Sequence, residues 1–316
     1  MGRGKTGLRV RPSRLFSLVA RFSGPAVVLT SLATAWMAIA WTDTITLKGA
    51  TSSIRSTRQL SQAPMVRRIG SDGRPLRGVR HDNLGPNWSG YVVARDTYTS
   101  AQGTWTVPAV SWVDYPPDPQ GRAISESSAT WIGIGGALGD GVLIQLGTQQ
   151  ALTSSGIATY GVWYELYPAP PITIDASRFV VSPGDTMTAS LQCTAACTPN
   201  AESTWVLSMT NVNRWKTPFT VQVQDAPTNL ATAEWIMEAN GAYCNGSACG
   251  PTASAYLPNF GPTTFTAISA NNKNPQLLRS QDAMMITDPE GKAWSVPSDP
   301  VGGNSFTVTF GRPPSP

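Results

Sequence analysis

The sequence predicts an all-β fold, a sandwich of antiparallel sheets, from three observations. From residue 87 onward, short runs alternate apolar and polar side chains with period two, and Gly, Pro, Asn and Asp break them. Only 13% of the residues are charged, about half of the roughly 25% usual in globular domains. Exposed helix faces would need more Glu, Lys and Arg. The chain also holds 29 Gly, 26 Pro and 11 Trp, which suits turns and broad sheet surfaces. No βαβ spacing, long helical period or internal repeat competes with this reading.

In chain order, residues 1–41 come first. Arg3, Lys5, Arg9, Arg11, Arg14 and Arg21 precede an apolar run that ends in Ala38-Ile39-Ala40. A charged start, an apolar stretch and an A-x-A site make a secretory signal peptide. An uncleaved signal anchor is the alternative, and it is the only way this chain would hold a membrane. Either places the remainder outside the cytoplasm. Residues 42–86 are rich in Ser, Thr and Arg and carry no recognisable element. They form a basic flexible linker or a pro-segment. Residues 87–316 form the globular domain.

Charge follows the same division. The whole chain is +4, yet residues 1–40 carry +6, residues 41–86 carry +5 and residues 87–316 carry −7. The domain is acidic, which excludes a basic footprint for nucleic acid. The single His, His81, lies in the basic stretch. That removes Ser-His-Asp and Cys-His chemistry from the domain, and zinc sites built on histidine.

Within the domain the strands read in order. In 142–147, Leu143, Gln145 and Gly147 share one face, with Val142, Ile144 and Leu146 behind. A Gln in an apolar run must find hydrogen-bond partners. It is either satisfied by neighbouring backbone or aimed into a cleft beside the small Gly147. In 160–168, Trp163 and Glu165 share a face and Tyr164 points away. In 204–210, Trp205, Leu207 and Met209 oppose Thr204, Ser208 and Thr210. In 217–224, Phe219, Val221 and Val223 oppose Thr220, Gln222 and Gln224. In 230–239, Thr232, Glu234, Ile236 and Glu238 face one way, and Ala231, Ala233, Trp235 and Met237 the other. A helix would also align Glu234 with Glu238, and two solvated carboxylates on an outer sheet are the plain alternative. In 305–310, Phe306, Val308 and Phe310 oppose Ser305, Thr307 and Thr309. The four cysteines favour disulfides in an exported chain. Cys193–Cys197 with Cys244–Cys249 is the simplest of three connectivities, and a four-cysteine zinc site is the alternative.

Six segments, in this order, resemble the glutamic peptidases of the eqolisin family. They are Asn87-Trp88-Ser89-Gly90-Tyr91, Thr130 to Gly136, Leu143 to Gly147, Tyr160 to Pro168, Val181 to Asp185, and Ala233 to Glu238. The resemblance implies a lectin-like sandwich of two antiparallel sheets, one curved into a concave substrate groove. It implies a secreted endopeptidase with a catalytic Glu at Glu234 and a catalytic Gln at Gln145. Trp131 and Glu165 fall on substrate-binding positions. The family's cysteine-closed loop after the catalytic strand resembles Cys244 to Cys249. Gly135, Leu146 and Leu166 depart from the family pattern and bear on subsite preference.

On this reading the carboxylate of Glu234 takes a proton from the attacking water, and the Gln145 amide stabilises the oxyanion. A carboxylate base stays partly ionised in mild acid, where His would be protonated. The expected partners are polypeptides, the expected state is a monomer, and no metal or cofactor is called for. Two other functions fit the composition. One is a non-catalytic lectin-like module binding carbohydrate or peptide. The other is a glycoside hydrolase pairing Glu234 with Glu165 or Glu238.

Overall fold

Alternation becomes burial in Ser203–Asn211: Trp205, Leu207 and Met209 are buried, and the residues between them are partly exposed. The same rule sets Phe306 and Val308 inward near the end of the domain. The structure, a computed structural model, describes residues 83–311 except 86, 114, 116–120, 122, 124, 138–140, 226–227, 241–256 and 288–292. The segments 1–41 and most of 42–86 therefore lie outside the described residues, as do Cys244 and Cys249.

The strands are β1 (Asn83–Gly85), β2 (Trp88–Val93), β3 (Ser100–Thr106), β4 (Glu126–Gly135), β5 (Leu143–Leu152), β6 (Ala158–Tyr167), β7 (Ile172–Thr173) and β8 (Thr186–Ala195). They continue as β9 (Ser203–Asn211), β10 (Phe219–Asp225), β11 (Ala233–Ala239), β12 (Pro262–Ala270), β13 (Ala283–Thr287), β14 (Ala293–Pro297) and β15 (Phe306–Phe310). A single helical turn, Arg279–Asp282, precedes β13. Hydrogen bonding follows the path β10-β9-β8-β3-β12-β15-β14-β13-β2-β11-β4-β5-β6-β7. Every pairing along it is antiparallel, and β1 adds to β13 in parallel.

The path doubles back to give the two antiparallel sheets of a sandwich. One runs from β10 to β14 and the other from β13 to β7. They join at the β13–β14 ladder, where the register shifts between Ile286 and Thr287. Such irregularities bend strands and let a sheet turn a corner. Strand β1 is a departure from expectation, because 42–86 was read as holding no element. Three residues suffice to add a few backbone pairs to β13, and so short a run leaves no periodic signal.

Between the sheets lies the main core. Trp105, Met187, Leu191, Trp205, Leu207 and Phe265 from one sheet meet Ile132, Leu146, Val162 and Trp235 from the other. Buried indole N–H groups need acceptors. Trp105 Nε1 donates across the gap to Thr148 Oγ1 at 3.0 Å, and Trp235 Nε1 donates to the Gln102 carbonyl at 2.8 Å. Opposite Trp235 stands Gly103, where a β-carbon would lie 2.9 Å from the indole. Trp235 is thereby keyed into the facing sheet, and the face that its neighbours present is set. A second, smaller cluster of Trp88, Val92, Ala129, Trp131, Leu143, Trp163, Ile236 and Met284 forms on the other face of the β2-β11-β4-β5-β6 sheet.

Cys193 and Cys197 form a disulfide. That matches the first expected local pair and sets aside the four-cysteine zinc site. Beyond it, Asp185 ties a loop together. It accepts from Arg214 Nε at 2.7 Å, Asn211 Nδ2 at 2.8 Å and the Ser182 N–H at 2.8 Å.

Candidate active site

The local pattern of β11 decides where its carboxylates go. Trp235 and Met237 belong to the inter-sheet core, so Glu234, Ile236 and Glu238 take the opposite face. The segment is a strand and both carboxyl groups are buried. This removes the helix and the solvated outer sheet as readings. On β5 the same logic sends Ile144 and Leu146 inward and sets Gln145 on the face of Glu234.

Register then brings the candidates together. Glu234 pairs with Gly133 of β4, Gly133 pairs with Gln145 of β5, and Gln145 pairs with Glu165 of β6. The four residues form one row across four adjacent strands. Neighbouring strands are about 4.8 Å apart, so Glu234 and Gln145 start roughly 10 Å apart at the backbone. The residue between them has no side chain. A β-carbon at Gly133 would lie 2.8 Å from Trp131 Cζ3, 3.0 Å from Leu143 Cδ1 and 3.3 Å from Glu234 Oε2. The place that a side chain of Gly133 would take is thus closely bordered by the Trp131 ring edge, Leu143 Cδ1 and the Glu234 carboxylate, with the Gln145 strand beyond.

Gln145 is 1% exposed. Its Nε2 donates to Glu165 Oε2 at 2.6 Å. That bond fixes which end of the amide is nitrogen. Of the amide's two N–H donors, one is committed to Glu165 and the other is left for a further partner. Among the described residues the buried Oε1 has no hydrogen-bond partner. Neither alternative read from the sequence describes this group fully: its partner is a carboxylate of the next strand, not backbone.

Trp131 is fully buried and edge-on to Trp88, with ring centroids 5.0 Å apart. Its Nε1 donates to Glu238 Oε2 at 2.8 Å, and Asn87 Nδ2 donates to Glu238 Oε1 at 3.1 Å. Burial, and then the charge of Glu165, push the Glu238 carboxyl up to about 8, against the Trp131, Trp88 and Asn87 groups that face it. Glu126, at the start of β4, is also buried and accepts the Val113 N–H on both oxygens, at 3.0 and 3.1 Å. Burial raises it to about 8.

The structure therefore brings Glu234, Gln145 and Glu165 into one row and sets Trp131 beside it. Sequence reasoning left Gly133 and Asn87 without a role. Gly133 stands between two candidate strands in the run W-I-G-I-G, and that placement emerges only once the register is known. Asn87 opens the first of the six segments, 151 positions before its partner Glu238.

Comparison with known proteins fits this geometry. Residues 86–310 match the model of the Peptidase A4 family. Scytalido-glutamic peptidase, solved with a transition state analog inhibitor, superposes with a TM-score of 0.53 at 19% identity, over 71% of this chain and 98% of that one. SCP-B, a member of the eqolisin family solved with the tripeptide Ala-Ile-His, superposes with a TM-score of 0.50 at 19% identity and the same coverage. No curated protein matches the chain in sequence. At these identities the superpositions establish the sandwich, and the family match, across most of the chain, establishes the rest. The chain belongs to the Peptidase A4 (eqolisin) family and is a glutamic-type peptidase acting on polypeptides.

Proposed function

We propose that the protein is a secreted acid endopeptidase in which Glu234 is the general base and Gln145 the oxyanion donor. The observation that carries this reading is the row Glu234–Gly133–Gln145, which sets a buried carboxyl and a buried amide on one face with no side chain between them. A water between these two side chains loses a proton to the Glu234 carboxylate as its oxygen bonds to the scissile carbonyl carbon. The carbonyl oxygen becomes an oxyanion, and the Gln145 N–H not held by Glu165 donates to it. One such donor is worth about 3–4 kcal/mol in the barrier. Glu234, now the acid, returns its proton to the amide nitrogen as the C–N bond breaks. A carboxylic acid and an amine leave, and Glu234 is again a carboxylate.

The neighbouring carboxyl groups support this division of labour. Glu238, pushed up to about 8, keeps its proton in mild acid and so is no base there. Glu165 is occupied with the Gln145 amide. On this reading Glu165 orients the donor, in addition to any contact with substrate. Segment 1–41 is the export leader in the same proposal.

The test is a pH-resolved peptide-library digest with wild type and Glu234→Gln. The proposal expects internal cleavage with an acid optimum, abolished in the variant. N-terminal sequencing of the exported product locates the maturation site.

A further inference from the structure

Trp131 reaches in two directions. Its pyrrole nitrogen is bonded to Glu238 Oε2 at 2.8 Å, and Cζ3 on the far side of its six-membered ring stands over Gly133, 2.8 Å from where a β-carbon would lie. The indole is held by more than this bond. A β-carbon on Gly147, its partner in register, would lie 2.5 Å from Trp131 Cβ and 2.4 Å from the Thr130 carbonyl, so only glycine lets the side chain leave the sheet here. Trp88 meets it edge-on at 5.0 Å. Packing restrains the ring plane, but an indole can still rock about its Cβ–Cγ bond. The Glu238 acceptor stops that motion. Asn87 Nδ2 in turn holds the other Glu238 oxygen at 3.1 Å, so the acceptor is itself fixed.

We infer that Glu238 is a positioning residue for the reaction, acting through the Trp131 indole to fix the ring edge that stands over Gly133, between Glu234 and Gln145. The inference rests on the reading of Glu234 and Gln145 as the pair that acts on the attacking water. Glu238 sits one row beyond Trp131 along β11 and four residues from Glu234 in sequence. It touches no reacting atom. Its effect is geometric: when the indole rocks, Cζ3 shifts over Gly133, between Glu234 and Gln145. Misplacement on the order of 1 Å can cost about 100-fold in rate. Peptide binding along the rest of the face would be little altered, so kcat falls and KM does not.

The experiment is a double-mutant cycle on kcat, per folded molecule, with Trp131→Phe and Glu238→Leu. Trp131→Phe deletes the N–H that Glu238 accepts. Each single variant is expected to lose about 30-fold in kcat with KM within about threefold, and the double variant to lose little more than the worse single. Glu238→Gln, which keeps an oxygen acceptor for the indole, is expected to regain at least about tenfold over Glu238→Leu. Losses that multiply in the double variant overturn the inference, because they place the two residues in separate roles. If Glu238→Leu does not fold, Trp131→Phe alone decides: a wild-type kcat overturns the inference. Glu234→Gln is assayed beside them. A wild-type rate in that variant removes the water-site reading itself. An inactive Glu234→Gln with multiplying losses removes only the role of Glu238.

Discussion

Glu234 and Gln145 stand in register on opposite sides of Gly133, in one row that crosses β11, β4 and β5. Their side chains share a face because Trp235 and Ile144 take the other one. No side chain stands between them in the row, because the intervening residue has no β-carbon. Gly133→Ala places a methyl group 3.3 Å from Glu234 Oε2 and 2.8 Å from Trp131 Cζ3. That variant is expected to lose about 100-fold or more in kcat/KM, since the methyl group displaces the Trp131 ring edge and crowds the Glu234 carboxylate. Steady-state peptide cleavage at acid pH, alongside a thermal unfolding curve, checks this.

The Gln145 amide is oriented by Glu165, and the two should behave as a unit. Gln145→Ala is expected to lower kcat by about 100- to 1,000-fold, the usual cost of one oxyanion donor. Glu165→Leu leaves the amide free to flip its oxygen toward the developing charge. It should lower kcat less in wild type and add little in the Gln145→Ala background. Rates of the two singles and the double provide the check.

Stability should depend on pH with a definite sign. Glu238 and Glu126 are raised to about 8 from 4.5, so the folded state holds their protons more tightly than the unfolded chain. Their contribution is fully present below about 4.5 and is lost as pH rises toward 8. Asp185 acts in the opposite sense. Burial works against its ionisation, but Arg214, Asn211 and the Ser182 N–H outweigh it and hold it below 3.8. Its contribution is present above the unfolded value and is lost as pH falls further. Thermal midpoints should therefore peak in mild acid and decline through neutrality. Asp282 is raised by burial as well, so Glu126→Gln should make the decline shallower without abolishing it.

Much of this was legible in the sequence, for physical reasons. Period-two alternation placed Trp205, Leu207 and Met209 inward, and it assigned Glu234, Ile236 and Glu238 to one face before any register was known. Burial enforces alternation strongly, so it survives in the sequence of each strand. Pairing does not. Glu238 finds Trp131 at a separation of 107 residues and Asn87 at 151, and Gln145 finds Glu165 across a hairpin. Nothing local to any of these residues encodes the partner. The same holds for the turn of the sheet at β13–β14, and for the short β1, whose three residues form a strand only by pairing with β13.

The central claim is that Glu234 does the proton transfer, and one measurement addresses it most directly. Purified Glu234→Gln, shown by thermal unfolding to be folded, is assayed for peptide cleavage across acid pH. The account expects kcat to fall by at least about 1,000-fold at every pH, since an amide neither accepts the water's proton nor returns it. Cleavage by the folded variant at the wild-type rate would contradict it.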